Sequence, residues 1–323
     1  MKRKTNSKIP VLVIFAPTAS GKTALTRELF SQKGSHFLFK AQIINADSQA
    51  VYKGMNIGTA KPDANLQKEI PHHLIDILSP DQQFNVSDFV EQADKLCSQI
   101  TEQGELPVVC GGSGFYIRSF LYGLPPTPVC DEKLRENLQK RIKNEGNAAL
   151  YEELKQIDPQ SAAKIHLNDS YRICRALEVY YSSGKTRSSF LPQTKLREQY
   201  DFIFLILEPE RKVLYERIEQ RVNQMFKAGL EDEVKNLIEV GYGPNSPGLK
   251  AIGYHEWFEF ADKSEDYSEK VRKAIIHNSR KYAKKQYTYI RDIQGGKVIS
   301  FDGGEETLNI ISAYLKNRIA INC

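Results

Sequence analysis

A loop near the start of the chain has the residues needed to bind phosphate groups. Residues 16–23 read Ala-Pro-Thr-Ala-Ser-Gly-Lys-Thr, close to the pattern G-x-x-x-x-G-K-[ST]. In such a loop, backbone N–H groups converge on an anion, the Lys22 ammonium reaches the outer phosphate and the Thr23 hydroxyl can hold Mg²⁺. The alternative is a chance match in an ordinary strand-turn-helix unit. The candidate phosphate-binding residues are Ala16, Pro17, Thr18, Ala19, Ser20, Gly21, Lys22 and Thr23.

The first position of this loop departs from the pattern, because Ala16 stands where the pattern has glycine. A Cβ atom costs most where φ is positive. We therefore expect the φ angle of Ala16 to be negative.

Two polar side chains follow short predicted strands. Asp47 comes after the strand 43–45, and Ser113 lies in Gly-Gly-Ser-Gly after the strand 107–110. The crevice of a parallel sheet lies outside the carboxyl ends of its strands, so Asp47 should lie near the phosphate loop as a base or metal partner. Asp47 could instead cap a helix, and the glycine run could be only a tight turn.

Arginines on two predicted helices could also bind phosphate. Arg217 and Arg221 share a face of the helix predicted for 211–228, and the forked guanidinium binds two oxygens while staying charged. Arg172 and Arg175 lie three residues apart on a helix that begins after Asp169. Solvent-exposed surface charges remain the alternative in both helices.

Positive charge is concentrated in one segment. Residues 271–291 contain seven Lys or Arg and no acidic residue, whereas the whole chain carries +5. Lys273, His277, Arg280, Lys284 and Arg291 fall on one helical stripe, with Tyr282, Tyr287 and Tyr289 interleaved. Cations beside aromatic rings are typical of a nucleic-acid contact. A solvated helix face is the alternative, but such faces normally alternate in sign.

The elements that must position these residues indicate an α/β fold. Unbroken apolar runs at 11–15 and 202–207 are typical of parallel strands covered on both faces, and 85–103 reads as a helix with one apolar stripe. We expect a P-loop nucleotide-kinase-like parallel sheet with helices on both faces. Prolines at 125, 126 and 128 mark a boundary. The predicted division is 1–124 and 201–323 for the α/β core, with a helical insertion domain at 125–200.

Composition indicates a globular chain. Its 323 residues are 41% hydrophobic and 26% charged, and no stretch approaches the ~18 apolar residues of a membrane span. The basic start followed by an apolar run resembles a signal peptide, but that run is short and leads directly into the phosphate loop. Five cysteines without metal-ligand spacing favour reduced thiols in a cytoplasm.

Several motifs together resemble those of the tRNA dimethylallyltransferases, in order and over nearly the whole chain. They are the loop 17–23, Asp47-Ser48 with the block 51–62, the glycine run 111–114, Arg-Ala-Leu-Glu at 175–178 and Gly-Tyr at 253–254. The resemblance implies transfer of a dimethylallyl group from its diphosphate, with Mg²⁺, to the N6 amine of the adenosine 3′-adjacent to the anticodon, in tRNAs that read codons beginning with U. Ala16 for Gly and Ser113 for Thr are departures from the usual family pattern.

The resemblance also implies roles for individual residues and a cytoplasmic, monomeric enzyme. Asp47 is the base, Ser113 lies near the reacting groups, and Lys22, Thr23 with Mg²⁺ and Arg221 neutralise the leaving diphosphate. The anticodon stem-loop of tRNA is expected to meet Asp47, Ser48, Gln49, Ala50, Tyr171, Arg172, Ile173, Cys174, Arg175, Lys250, Ala251, Ile252, Gly253, Tyr254, His255, Lys284, Lys285, Gln286 and Arg291.

Two other enzyme classes share parts of this pattern. A P-loop nucleotide or small-molecule kinase would have the same loop but would not need the basic helix. An adenylate isopentenyltransferase acting on free nucleotide would share the donor chemistry. The helical insertion and the basic segment favour tRNA as the acceptor.

Overall fold

The protein is described by a computed structural model of residues 8–128, 131–260, 265–293, 295–301 and 304–320, and the side chains of residues 290–292 and 320 lie outside the described part. The strands in these ranges are β1 (Ile9–Phe15), β2 (Ala41–Asn45), β3 (His72–His73), β4 (Leu106–Gly111), β5 (Tyr200–Leu207) and β6 (Lys297–Ile299). The helices are α1 (Lys22–Phe30), α2 (Ala64–Glu69), α3 (Val86–Glu102), α4 (Gly114–Tyr122), α5 (Glu132–Ile157), α6 (Pro159–Ala162), α7 (Ser170–Ser183), α8 (Arg211–Lys227), α9 (Leu230–Glu239), α10 (Tyr267–Asp292) and α11 (Glu305–Ala320).

One parallel sheet carries the described strands in the order β3-β2-β4-β1-β5-β6. Strand β1 lies between β4 and β5, and its residues 11–15 are fully buried. Their unbroken apolar sequence is therefore explained by a position in the middle of the sheet. The loop that follows β1 therefore begins in the middle of the sheet, between the ends of β4 and β5.

Helices cover both faces of this sheet. Alternate residues such as Leu12 and Ile14 of β1 pack in one cluster with α1 and α11. Helix α3 packs against β1, β2 and β4, and its buried Phe89 lies outside that cluster and stacks on Tyr116 of α4. The predicted α/β class, a parallel sheet with helices on both faces, is confirmed.

The chain divides into two compact units, Met1–Leu121 with Arg197–Cys323 and Tyr122–Leu196. The second unit contains α5, α6 and α7 around a core that includes Leu138, Leu150 and Leu177. Helix α5 is interrupted at Gly146, where φ is +81°. The insertion predicted at 125–200 overlaps this helical unit, whose bounds begin and end a few residues earlier.

The described helices contain none that is both long and apolar enough to cross a lipid bilayer. Cys97, Cys110 and Cys174 are buried free thiols.

Candidate active site

The phosphate loop leaves β1 at the centre of the sheet and leads directly into α1. Ala16 is fully buried and is not among the residues with positive φ, which confirms the expectation for this position. The left-handed positions are instead Ala19, with φ +59°, and Gly21, with φ +89°. An alanine in this region persists only where packing holds it, and Ala19 packs against the buried cluster of Leu214, Ile218 and Ala283.

Backbone donors of this loop point to an anion site. In the described part of the chain, no protein acceptor pairs with the N–H groups of residues 19–23. Gly21 precedes α1 and supplies no side-chain cap, so the first turn of the helix keeps its unsatisfied donors. A row of free N–H groups at a helix N-terminus is suited to a phosphate or diphosphate.

The Lys22 ammonium lies inside the same loop. Its Nζ donates to the carbonyl oxygens of Ala16 at 3.0 Å and Pro17 at 2.7 Å. The pKa of Lys22 is lowered to about 8, mainly because the ammonium is buried, and the positive charge of Arg221 lowers it further whereas Asp47 raises it. The sequence-predicted residues Lys22, Asp47 and Arg221 therefore lie within electrostatic reach of one another.

Asp47 lies in a turn just after β2. Its Oδ1 accepts the N–H of Gln49 at 2.9 Å, so it holds a turn and does not cap a helix. Among the described residues, its second oxygen, Oδ2, has no hydrogen-bond partner. One carboxylate oxygen thus orients the side chain and the other is available for chemistry.

Ser113 connects the segment after β2 to the segment after β4. Its Oγ accepts the N–H of Ser48 at 3.1 Å, and its own N–H donates to the carbonyl of Ala46 at 3.1 Å. Both bonds hold Ser113 next to the Asp47 turn. The two polar residues that follow β2 and β4 therefore lie close together in the fold.

The glycine run after β4 is required for close packing. A Cβ atom added at Gly112 would lie 2.5 Å from Nε2 of Gln286, and one at Gly114 would lie 2.6 Å from Cβ of Tyr289. Both neighbours belong to α10. The small residues of this run therefore let α10 approach closely.

Gln286 joins the phosphate loop to this glycine run, which the sequence did not predict. Its Oε1 accepts the N–H of Thr18 at 3.1 Å, and its Nε2 donates to the carbonyl of Gly112 at 2.7 Å. The residue is only 3% exposed. The amide of Gln286 is therefore used inside the protein, and its contact with tRNA stays a prediction.

Arg221 approaches the site from α8. Its Nη2 donates to the carbonyl of Thr59 at 3.2 Å. Burial lowers the pKa of the guanidinium, and the negative charge of Asp47 opposes this shift. Leu214 and Ile218 of α8 are buried, and Arg221 shares their inward-facing side of the helix.

Glu233 is a positioning residue that sequence reasoning missed. Its carboxylate accepts the N–H groups of Asn56 and Ile57 at 2.8 Å and of Gly58 at 3.2 Å. The Tyr254 hydroxyl donates to the same carboxylate at 2.6 Å. Glu233 therefore holds the loop that carries Thr59, the partner of Arg221. Its place at the start of the amphipathic helix α9 was a weak signal, because acidic residues are common there.

Burial separates the predicted tRNA contacts into two groups. Residues that expose side chains are Tyr171, Arg172, Lys250, Lys284 and Lys285, and Ser48, Gln49, Ile252 and His255 are partly exposed. Residues that are buried, and whose contact with tRNA stays a prediction, are Ala50, Ile173, Cys174, Ala251, Gly253, Tyr254 and Gln286. The side chain of Arg291 lies outside the described residues. Buried positions pack in the core because they occupy the apolar faces of their turns and helices.

Arg175 is oriented inward within the helical unit. Its Nη1 pairs with the buried Glu178 at 3.0 Å, and its Nη2 contacts Thr127 and the carbonyl of Pro128 at 3.4 Å. Arg172 pairs with Asp169 at 3.3 Å but is largely exposed. Of these two arginines, Arg172 has the more accessible charge.

The basic stripe of α10 is only partly free of counter-charges. Its first half forms ion pairs, Lys273 with Glu269 at 3.4 Å and Arg280 with Glu219 of α8 at 2.7 Å. Acidic residues outside 271–291 therefore offset part of the positive charge that the sequence of this half indicates. In the described ranges, Lys281, Lys284 and Lys285 have no ion-pair partner, so the positive field is strongest in the second half.

The chain matches the family model "IPP transferase" over residues 50–293. A tRNA dimethylallyltransferase from Geobacter sulfurreducens is 37% identical over 97% of this chain and 98% of its own length. The full-length tRNA isopentenylpyrophosphate transferase from Bacillus halodurans superposes with a TM-score of 0.68 at 32% identity, and the match covers 98% of each chain. A eukaryotic dimethylallyltransferase, solved in a study of its action on tRNA, gives a TM-score of 0.77 at 26% identity over 95% of this chain and 77% of its own.

Proposed function

This chain belongs to the IPP transferase family, and we propose that it transfers a dimethylallyl group from dimethylallyl diphosphate to tRNA. The acceptor is the N6 amine of the adenosine 3′-adjacent to the anticodon, in tRNAs that read codons beginning with U. One observation carries this proposal: the cations Lys22 and Arg221 and the carboxylate Asp47 lie within electrostatic reach of one another at an anion-binding loop.

The phosphate loop is suited to the diphosphate of the donor. The free N–H groups of residues 19–23 and the Lys22 ammonium bind phosphate oxygens, and Arg221 supports the outer charge. Bond breaking between the allylic carbon and the diphosphate oxygen leaves the electron pair on that oxygen. Preorganised donors that bind this growing charge lower the barrier.

Thr23 and the diphosphate would hold Mg²⁺. Hydroxyl, carboxylate and phosphate oxygens are the ligands that this ion prefers, and the Thr23 hydroxyl has no protein partner among the described residues. Bound Mg²⁺ supplies further positive charge to the leaving group. Lys22, Arg221 and the loop N–H groups act on the same oxygens.

Asp47 receives the proton that the amine releases. The N6 nitrogen of adenine forms a bond to the allylic carbon as the diphosphate leaves, and one of its hydrogens passes to the carboxylate. The bond between Oδ1 and the Gln49 N–H keeps Oδ2 as the accepting atom. Ser113, anchored beside Asp47, orients the amine.

The tRNA backbone is expected to meet the free lysines of α10, Lys281, Lys284 and Lys285, and the exposed Tyr171 and Arg172 of α7. The target base must leave its stack in the anticodon loop to reach Asp47, at a cost of a few kcal/mol that such contacts offset. Cys97, Cys110 and Cys174, which the structure describes as free thiols, accord with action in the cytoplasm. One chain supplies each residue of the proposed site, so a monomer suffices.

One incubation separates this reaction from its alternatives. The protein is mixed with labelled dimethylallyl diphosphate, unmodified tRNA, and AMP or ATP. We expect label in tRNA and none in free nucleotide. Label only in nucleotide would identify an adenylate isopentenyltransferase, and phosphoryl transfer from ATP without alkylation would identify a kinase.

Charge reversal at Lys284 and Lys285 should weaken tRNA binding and flatten its salt dependence. Each lost phosphate contact removes one released counterion, so the slope of log K against log salt should fall by about 1–2. Filter binding at several salt concentrations measures both effects. The matched control reverses Lys95 and Lys235, which pair with Glu91 and Glu231, and changes the net charge equally. An unaltered salt slope in the first variant contradicts the assignment of this surface.

The kcat/KM for dimethylallyl diphosphate should fall above about pH 8. Lys22 is charged below its lowered pKa of about 8 and becomes neutral as the pH rises through that value. The kcat/KM for dimethylallyl diphosphate at saturating tRNA should be level below this pH and fall about tenfold per pH unit above it. A Lys22→Arg variant, even if slower, should lack this break because Arg stays charged. A wild-type profile that stays level to about pH 10 contradicts the assignment.

A further inference from the structure

We propose that Tyr282 forms one wall of the acceptor-base subsite, where its ring stacks on the extracted adenine. This inference rests on the proposed transfer to tRNA and adds a residue to it. The ring would bind the base, whereas Asp47 and Ser113 act on the amine.

The position of Tyr282 on α10 brings it to the reacting groups. Residues 282, 286 and 289 follow helical spacing and share one face of α10. Gln286 bonds to Gly112, and Tyr289 packs against the Cα position of Gly114. These two contacts lie on both sides of Ser113, so the same face places Tyr282 over the crevice.

The hydroxyl of Tyr282 lies near the polar groups of the site, within reach of Ser113 and of the negative charge of Asp47. Burial of the hydroxyl, reinforced by Asp47, raises its pKa to about 12, although the nearby Ser113 lowers it. The phenol is therefore neutral at physiological pH and does not compete with Asp47 as the base.

Tyr282 keeps an accessible surface, since the residue is 37% exposed. Tyr287 differs, because its hydroxyl donates to the carbonyl of Pro209 at 2.9 Å and its side chain packs against the buried cluster of Leu214, Ile218 and Ala283. An accessible aromatic side chain near the proton acceptor is suited to a flat heteroaromatic base.

The test uses an anticodon stem-loop RNA in which 2-aminopurine replaces the target adenine. This base lacks the N6 amine and so reports stacking without reaction. In the wild-type complex and in Tyr282→Phe, which keeps the ring, the extracted base should be quenched. In Tyr282→Leu it should be several-fold brighter, and with the natural stem-loop the KM should rise about 10- to 100-fold, as expected for loss of one stacked ring.

The control is Tyr314→Leu on α11, the same change at a half-buried tyrosine of the sheet-packed helix. Thermal unfolding of each variant checks that the fold is kept, and the Phe variant separates the ring from the hydroxyl. The inference would be overturned if Tyr282→Leu showed the same fluorescence and the same KM as the wild-type protein. A wild-type protein that neither binds the stem-loop nor labels tRNA would instead refute the proposed function.

Discussion

Replacing Asp47 should lower kcat about 10²- to 10⁴-fold while tRNA affinity stays within about threefold. Asp47→Ala removes both the proton acceptor and the turn bond to Gln49. Asp47→Asn keeps an oxygen that can accept the Gln49 N–H but is not basic. If proton transfer is the role of Asp47, both variants lose turnover to a similar extent.

Single-turnover alkylation with preformed enzyme–tRNA complex measures the chemical step, and filter binding measures affinity. Undiminished turnover in Asp47→Asn would remove Asp47 as the base. A loss confined to Asp47→Ala would assign the residue to holding the turn instead.

Replacing Arg221 with alanine should lower kcat/KM for dimethylallyl diphosphate about 10²- to 10³-fold, as expected for loss of a charged group that stabilises the leaving oxygen. Arg221→Lys keeps a positive charge but loses the fork, so part of the activity should return. Because Arg221 lowers the pKa of Lys22, its removal should also move the pH break upward from about 8.

Steady-state kinetics at several pH values measure both effects. The matched control is Arg211→Ala at the start of the same helix, where the guanidinium contacts the Tyr215 hydroxyl at 2.9 Å. Its kcat/KM should stay within about threefold of wild type. An Arg221→Ala variant with an unmoved pH break would contradict the electrostatic coupling between Arg221 and Lys22.

Local patterns were sufficient for the elements that carry the site. The helix predicted at 85–103 forms as Val86–Glu102, because Asn85 and Asp88 build a capping box and the apolar stripe faces the core. The phosphate loop could also be predicted locally, because its strand, glycine, lysine and helix are adjacent in the chain. The strand ends likewise placed Asp47 and Ser113 at one edge of the sheet.

Contacts between distant segments could not be predicted from local patterns. The bond from Thr18 to Gln286 spans 268 positions, and the bond from Ile57 to Glu233 spans 176. Gln286 and Tyr254 lay in segments expected to meet tRNA, yet both are buried and bond inside the protein. Periodicity shows which face of a helix is apolar, but a single buried glutamine on a basic helix has no local signature.

The amino-acid sequence by itself determined the parallel α/β core, the phosphate loop with its negative φ at Ala16, and the family resemblance. Each depends on neighbouring residues, or on strand ends that a parallel sheet brings to one edge. Only the tertiary structure decided that Ala19 takes the strained left-handed position, that Glu233 holds the loop beside Arg221, and that Tyr282 lies near Ser113 and Asp47. These features depend on how α8, α9 and α10 pack on the sheet, which local spacing does not specify.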